Sequence, residues 1–163
     1  MTKQVKARLK LIPYYKGITR KNRFTNPVKD KAWTLLSDFV RCRDFIKYKK
    51  CVSCGRTVAM WRILQGGHFI NMSSNGASIG FSVKNVFGQC PFCNFQSSQH
   101  TGADFEREIV KRGIKIQDLK KLQQQTVKAD DWFFIAKIEE IWGLFQELKK
   151  EHDEFDFPEY LYK

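Results

Sequence analysis

Four of the five cysteines fall in two pairs of identical spacing, Cys51-Val-Ser-Cys54 and Cys90-Pro-Phe-Cys93, with 35 residues between them. Two intervening residues let one tight turn present both sulfurs to the same ion, and zinc prefers tetrahedral thiolate ligation, so the pairs predict a four-sulfur structural zinc site. A closed shell leaves no position for substrate, and its expected role is to hold neighbouring residues in place. Three neighbours carry chemistry of their own. His68 follows Gly66-Gly67, and an imidazole titrates near neutrality and can take up a proton. Asn85 lies where it can bond the imidazole or the backbone beside it. Asn94 follows the last cysteine directly, where its amide oxygen can ligate a hard cation such as magnesium. A lone histidine is more often structural than catalytic; the company His68 keeps is what points to a base.

The elements that must position these residues can be read from periodicity. From 28 to 48 the apolar residues Ala32, Leu35, Leu36, Phe39, Val40 and Ile46 recur near the 3.6-residue period of an amphipathic helix. Arg41, Arg43 and Lys47 fall off that stripe and are expected to face outward. Residues 51–89 are rich in Gly, Ser and β-branched types and read as short strands and loops. Strands are expected at 58–64 and 81–87, with Gly66-Gly67 as a sharp turn and 71–80 as a loop. A helix is expected near the second cysteine pair. Another, over 103–112, stops at Gly113. A short polar helix covers 117–125, and Asp130-Asp131 caps a longer one to about residue 150. Its stripe of Ile135, Ile138, Ile141, Leu144, Phe145 and Leu148 reads as core or partner-helix packing rather than a cofactor site. The aromatic tail over 155–162 is expected to dock on the domain or on another subunit. Residues 1–27 show no sustained period, with Pro13, Gly17 and Pro27 as breakers. The expected division is therefore a basic N-terminal arm (1–27), a zinc-bound core with its leading helix (28–113) and a C-terminal helical extension (114–163), in the α+β class.

Composition narrows the class of function. Hydrophobic residues make up 42% and charged residues 28% of the 163, the balance of a folded globular chain. No apolar run reaches membrane-spanning length, and the polar, basic first residues carry no secretory signal pattern. Cysteines in such a chain favour metal binding over disulfides; the fifth, Cys42, reads as a small core residue on a helix. Net charge is +12. Residues 1–50 hold 15 Lys or Arg against three acids, while residues 51–163 balance 14 against 14. A basic arm with Tyr14, Tyr15 and Phe24 among its cations is a candidate polyanion-binding surface, with Lys16, Arg20, Lys21 and Arg23 as its DNA contacts. The alternative is a solvated tail that only aids solubility.

Several short motifs occur together in order: Phe39-Val-Arg-Cys-Arg-Asp44, Cys51-Val-Ser-Cys54-Gly55, Gly67-His68-Phe69, Phe81-x-x-x-Asn85-Val86, Gln89-Cys90-x-x-Cys93-Asn94, and a helix ending Arg112-Gly113. Over about residues 30–113 this series resembles the ββα-metal (HNH) nucleases in their H-N-N form, and more closely the phage NinG/Rap recombination nucleases. The resemblance implies a treble-clef-like, zinc-stabilised ββα core flanked by helices. It also implies a phage-encoded endonuclease in the cytoplasm of a bacterial host, acting on branched DNA such as Holliday junctions or D-loops. In that mechanism His68 takes a proton from the attacking water and Asn85 orients it. A single magnesium or manganese ion, held in part by Asn94, binds the scissile phosphate and the leaving oxygen, and the products carry 5′ phosphates.

One departure from that pattern bears on the chemistry. Many HNH nucleases place an acid immediately before the histidine as second metal ligand, and here the residue is Gly67. No Asp or Glu occurs between Asp44 and Asp104, and hard cations prefer charged oxygen. Asp44 is the first candidate for the missing ligand, with Asp104 and Glu108 behind it; a surface ion pair with Arg41 or Lys47 is its alternative role. Where the family pattern carries a lysine past Asn94 and an arginine before the strand phenylalanine, this chain has Ser97 or Ser98 and Gly80. Phosphate contacts then fall to Lys84, His100, Arg41, Arg43 or the arm. Symmetric cutting of a junction needs two active sites, so a homodimer is the expected assembly. Two other readings compete: a non-catalytic zinc module that binds nucleic acid, and an HNH nuclease of homing or restriction type.

Overall fold

The computed structural model describes residues 1–18, 21, 23–71, 76–95, 103–125 and 127–162. The chain forms two compact units, residues 1–39 with 128–163, and residues 40–127. These bounds differ from the 27/28 and 113/114 divisions expected from sequence, because the first and last segments of the chain fold together.

In the first unit the N-terminal segment is helical where the sequence suggested irregular chain. Helix α1 (Lys3–Lys10) starts at Thr2, whose hydroxyl accepts the Val5 N–H at 3.2 Å, a satisfied N-cap. Its apolar pair Val5 and Leu9, four residues apart, is buried, too short a stripe to stand out from the surrounding lysines. A 3₁₀ turn (Pro13–Lys16) follows. Helix α2 (Pro27–Tyr48) forms as expected and runs past the boundary between the units. Residues of the last segment complete the unit: helix α7 (Asp131–Glu151), whose Asp130 cap accepts the Phe133 N–H, and a 3₁₀ turn (Glu159–Tyr162). The aromatic tail docks within this unit, burying Phe157, Tyr160 and Leu161. Rings supply much of the packing. Phe39 and Phe157 both meet Phe145 edge-on, and Tyr14 stacks on Trp142 with centroids 3.8 Å apart.

In the second unit α2 ends at Tyr48, and Lys49 takes a left-handed φ of 52° that turns the chain into the first cysteine pair. Strands β1 (Gln65–His68) and β2 (Val86–Gln89) form an antiparallel pair with Gln65 opposite Gln89 and His68 opposite Val86. Helices α3 (Gly76–Gly80) and α4 (Pro91–Phe95) border the hairpin; α5 (Ala103–Lys111) and α6 (Ile116–Gln124) cover it. Val52, Ile79, Phe87, Phe105, Ile109 and Leu119 form one apolar core cluster among the described residues. Gly113, with φ of 83°, ends α5 as anticipated.

Both strands lie later in the chain than periodicity suggested. The run 58–64 buries Val58, Trp61 and Leu64 around a 3₁₀ turn (Trp61–Ile63) instead of a strand. Gly66 and Gly67 are not a turn but the middle of β1. A Cβ on Gly67 would lie 1.5 Å from Gln89 Oε1, and one on Gly88 would lie 2.9 Å from Leu64. These glycines are required by close approach rather than by chain reversal.

Candidate active site and metal centre

The two cysteine pairs converge. Cys51, Cys54, Cys90 and Cys93 place all four sulfurs within 4.8 Å of one another. Cys54 and Cys90 Sγ lie 3.9 Å apart; tetrahedral zinc–thiolate bonds would set such sulfurs about 3.8 Å apart. The electrostatics of the cluster also call for a cation. Burial alone would raise the Cys51 thiol, but backbone N–H groups of Cys54, Cys90 and Ser53 outweigh it and hold its pKa below the ordinary thiol value. Burial, followed by the charge on Cys51, pushes Cys93 far up, and burial raises Cys54. One thiolate forms readily and opposes the others, so a tetrad of thiolates suits a divalent ion. The cluster is compatible with zinc, and it joins the chain before β1 to the start of α4.

His68 closes β1 at the end remote from the cysteines. Its Nε2 lies 2.9 Å from the carbonyl oxygen of Gly80. Asn85, fully buried just before β2, does not bond the ring. Its Oδ1 accepts the Ile70 N–H at 2.8 Å, while Nδ2 donates to the carbonyls of Ile70 and Ile79. Its own carbonyl accepts the Phe69 N–H. Asn85 thus ties the two residues that follow the histidine to Ile79, the neighbour of the Gly80 carbonyl that the ring meets.

Asn94 sits at the other end of the hairpin. Its Nδ2 donates to Gln65 Oε1 at 2.7 Å, three residues along β1 from His68, or about 10 Å of strand. By the alternation of side chains, Gln65, Gly67, Phe87 and Gln89 share one face, and His68, Gly66, Val86 and Gly88 the other. Position 67 therefore faces the side to which Asn94 is tied. Its missing side chain is replaced in space by the Gln89 carboxamide, whose Nε2 donates to Ser53 Oγ. The residues sequence reasoning missed here, Gln65 and Gln89, gave no signal of their own; only strand register sets them opposite each other, with Asn94 bonded to Gln65.

Asp44 is engaged elsewhere. It is 1% exposed; Oδ1 accepts from Arg43 Nε and Oδ2 from the Gly88 N–H, both at 2.7 Å. Arg112 Nη1 lies 3.5 Å from Oδ2. This carboxylate caps the outer edge of β2, neutralises the Arg43 guanidinium and faces that of Arg112 beyond hydrogen-bond range, and ligating a cation would compete with its two 2.7 Å bonds. The surface pairing with Arg41 or Lys47 is not formed either. Of the other acids, Asp104 pairs with Arg107, and Glu108 lies 3.5 Å from Arg112 Nε.

The expected cationic contacts divide in the same way. Arg41 and Arg43, expected outside, are half-buried. Arg41 lies over the Trp61 ring and donates to the Arg62 carbonyl, while Arg43 donates to the carbonyls of Val83 and Val86. Lys84 and Lys16 are exposed. Lys21 pairs with Asp38 at 2.9 Å, and Arg23 covers the Trp33 ring at 4.7 Å. Arg20, Ser97, Ser98 and His100 lie outside the described residues. Grouping charge by folded unit changes its address. Residues 40–127 carry 14 Lys or Arg against 5 acids, a net of +9, and the other unit only +3. No described helix is long and apolar enough to cross a membrane.

No curated protein matches the chain, nor does any solved structure. The family model described as Bacteriophage Lambda NinG protein matches residues 16–151. That match spans the cysteine tetrad, the hairpin with His68, Asn85 and Asn94, and the Asp44 network, and by it the chain belongs to the NinG family.

Proposed function

We propose that this protein is a metal-dependent, structure-selective DNA endonuclease that cleaves branched DNA in phage recombination, with His68 as general base. Membership in the NinG family suggests the recombination-related setting. The observation that carries the chemistry is the contact between His68 Nε2 and the Gly80 carbonyl. A carbonyl only accepts, so the neutral ring keeps its proton on Nε2 and its lone pair on Nδ1, the atom that would take the proton from water in this mechanism. Four clustered thiolates holding zinc would fix the hairpin that presents this ring. Asn94, whose amide nitrogen is used by Gln65, offers its Oδ1 to a magnesium or manganese ion, which would stabilise charge on the phosphate and leaving oxygen. Asp44 has no part in that shell in this reading. The oxygen that meets Asn94 among the described residues belongs to the neutral amide of Gln65, so the ion would bind weakly and cleavage would need millimolar metal. The bacterial cytoplasm as site of action and a homodimer as working assembly belong to the same proposal.

Among the described residues no carboxylate bonds to Asn94, which favours the second reading, a zinc module that binds nucleic acid without cutting it. Incubating the zinc-loaded protein with a labelled four-way junction and graded magnesium or manganese separates the two. Cleavage is expected, and His68→Ala should lower its rate by at least about a hundredfold while leaving DNA affinity and zinc content unchanged. Binding without strand breakage at every metal concentration would sink the enzyme. Preference for one linear duplex sequence over junctions would favour a homing or restriction role.

A further inference from the structure

The end of α2 and the chain leaving α5 enclose a cavity of about 210 Å³, lined among others by Arg43, Asp44, Lys47, Tyr48 and Arg112. Arg112 dominates it. Its side chain is 5% exposed, its guanidinium lies 3.9 Å from the Tyr48 ring centre, and among the described residues neither Nε nor Nη1 makes a hydrogen bond. The nearest carboxylate oxygens, Glu108 Oε1 and Asp44 Oδ2, both stand at 3.5 Å, beyond the 2.7–3.2 Å range of N–H···O bonds. Asp44 cannot close that gap without leaving Arg43 Nε and the Gly88 N–H, which hold it at 2.7 Å. A buried cation with two unused donors is costly, and it faces a space several times the ~30 Å³ share of one water.

We propose that this cavity binds a phosphate oxyanion, with the Arg112 guanidinium as its buried donor and Lys47 as the charge at its mouth. Among the lining residues three cations face one carboxylate that Arg43 already neutralises; adding Glu108, which only approaches Arg112, leaves the balance positive. Planar guanidinium donors match tetrahedral oxyanions better than water does. Lys47 is exposed, 5.4 Å from the Tyr48 ring centre, and free to swing over a bound anion. The shared chemistry has two sources, inorganic phosphate or a free phosphate ester, and the backbone of DNA held by the unit that carries +9. Assignment to the DNA backbone rests on the nucleic-acid reading above; the oxyanion site does not.

Thermal unfolding of the zinc-loaded full chain tests the site with inorganic phosphate against chloride at matched ionic strength. Phosphate should raise the midpoint saturably in the wild type and should lose that effect in Lys47→Met and in Arg112→Lys. The phosphate-free midpoint of Lys47→Met should equal the wild type, so a fold damaged by Arg112→Lys does not spoil the test. Protection no greater than chloride gives, or protection persisting in Lys47→Met, would overturn the proposal. DNA binding by His68→Ala protein, which removes cleavage from the measurement, then identifies the source. If the backbone occupies the site, adding Lys47→Met reduces the slope of log affinity against log salt by about one. An unchanged slope with phosphate protection intact assigns the site to a free phosphate species.

Discussion

Residues 1–39 with 128–163 bury phenylalanines along α7, a helix of 21 residues, and carry a net charge of +3. Residues 40–127 have four-residue strands, an apolar cluster around Phe87 and Phe105, and a net charge of +9. The first unit is held by area removed from water. The second adds to its apolar cluster buried amides, the Arg43–Asp44–Arg112 network and a cysteine tetrad compatible with zinc, because a hairpin this short does not offset its own ordering entropy. The contrast teaches where function lies in this chain: the candidate site is in the unit that holds the buried polar bonds and the cysteine cluster compatible with zinc.

Removing the ion should break the contrast most severely. Cys93→Ser, or strong chelation, deletes a cluster whose metal would contribute folding energy on the order of ten kcal/mol. Hydrogen exchange should then show residues 40–127 losing protection while α7 keeps its own; equal loss in both units would mean that they do not differ in this way. Next in size is Asp44→Asn. The amide can still accept from Gly88, but Arg43 and the buried Arg112 lose their countercharge, a change of about 3–5 kcal/mol readable by urea unfolding. If the folded fraction keeps its metal requirement for cleavage, Asp44 is confirmed as outside the metal shell. Gly67→Ala drives a methyl into the Gln89 carboxamide and should cost about 1–3 kcal/mol, part of it recovered when Gln89→Ala is added. The smallest effect lies in the first unit. Burial, then the charge of Glu139, raises the Tyr14 phenol above 10.0, with Arg8 opposing. A raised folded pKa favours the protonated native state, so this contribution is present below about pH 10 and lost as pH rises through the folded value. Wild type should therefore lose stability relative to Tyr14→Phe only above about pH 10, and a constant difference across that range would show that Tyr14 does not titrate differently on folding.

Much of this was legible because it is local. The helix of Leu35, Leu36 and Val40, the Asp130 cap and the Gly113 stop follow from side-chain period and cap chemistry within a few residues. The cysteine spacing announced a tetrad for the same reason: two residues between thiols is a local constraint. Strand position was not local. Residues 58–64 have the composition of a strand, yet the pairing partner of β2 is the glycine-rich segment after it, chosen because Gln89 and Leu64 need the room that glycine leaves. The basic arm misled in a related way, since its apolar residues Val5 and Leu9 become a helix face only when residues from the other end of the chain bury them.

What the sequence determined by itself is the chemical inventory and its local order: four thiols at metal spacing, His68, Asn85 and Asn94 around them, and helices whose period and caps are written within one or two turns. Tertiary structure alone decided which groups share space. It sent the Asp44 carboxylate to two guanidiniums and a strand edge, put the Gln89 amide where a residue at 67 would project, and moved most of the positive charge to residues 40–127. The physical reason is that a side chain's role here is set by desolvation and by the partners within a few ångströms, and those partners come from segments tens of residues away.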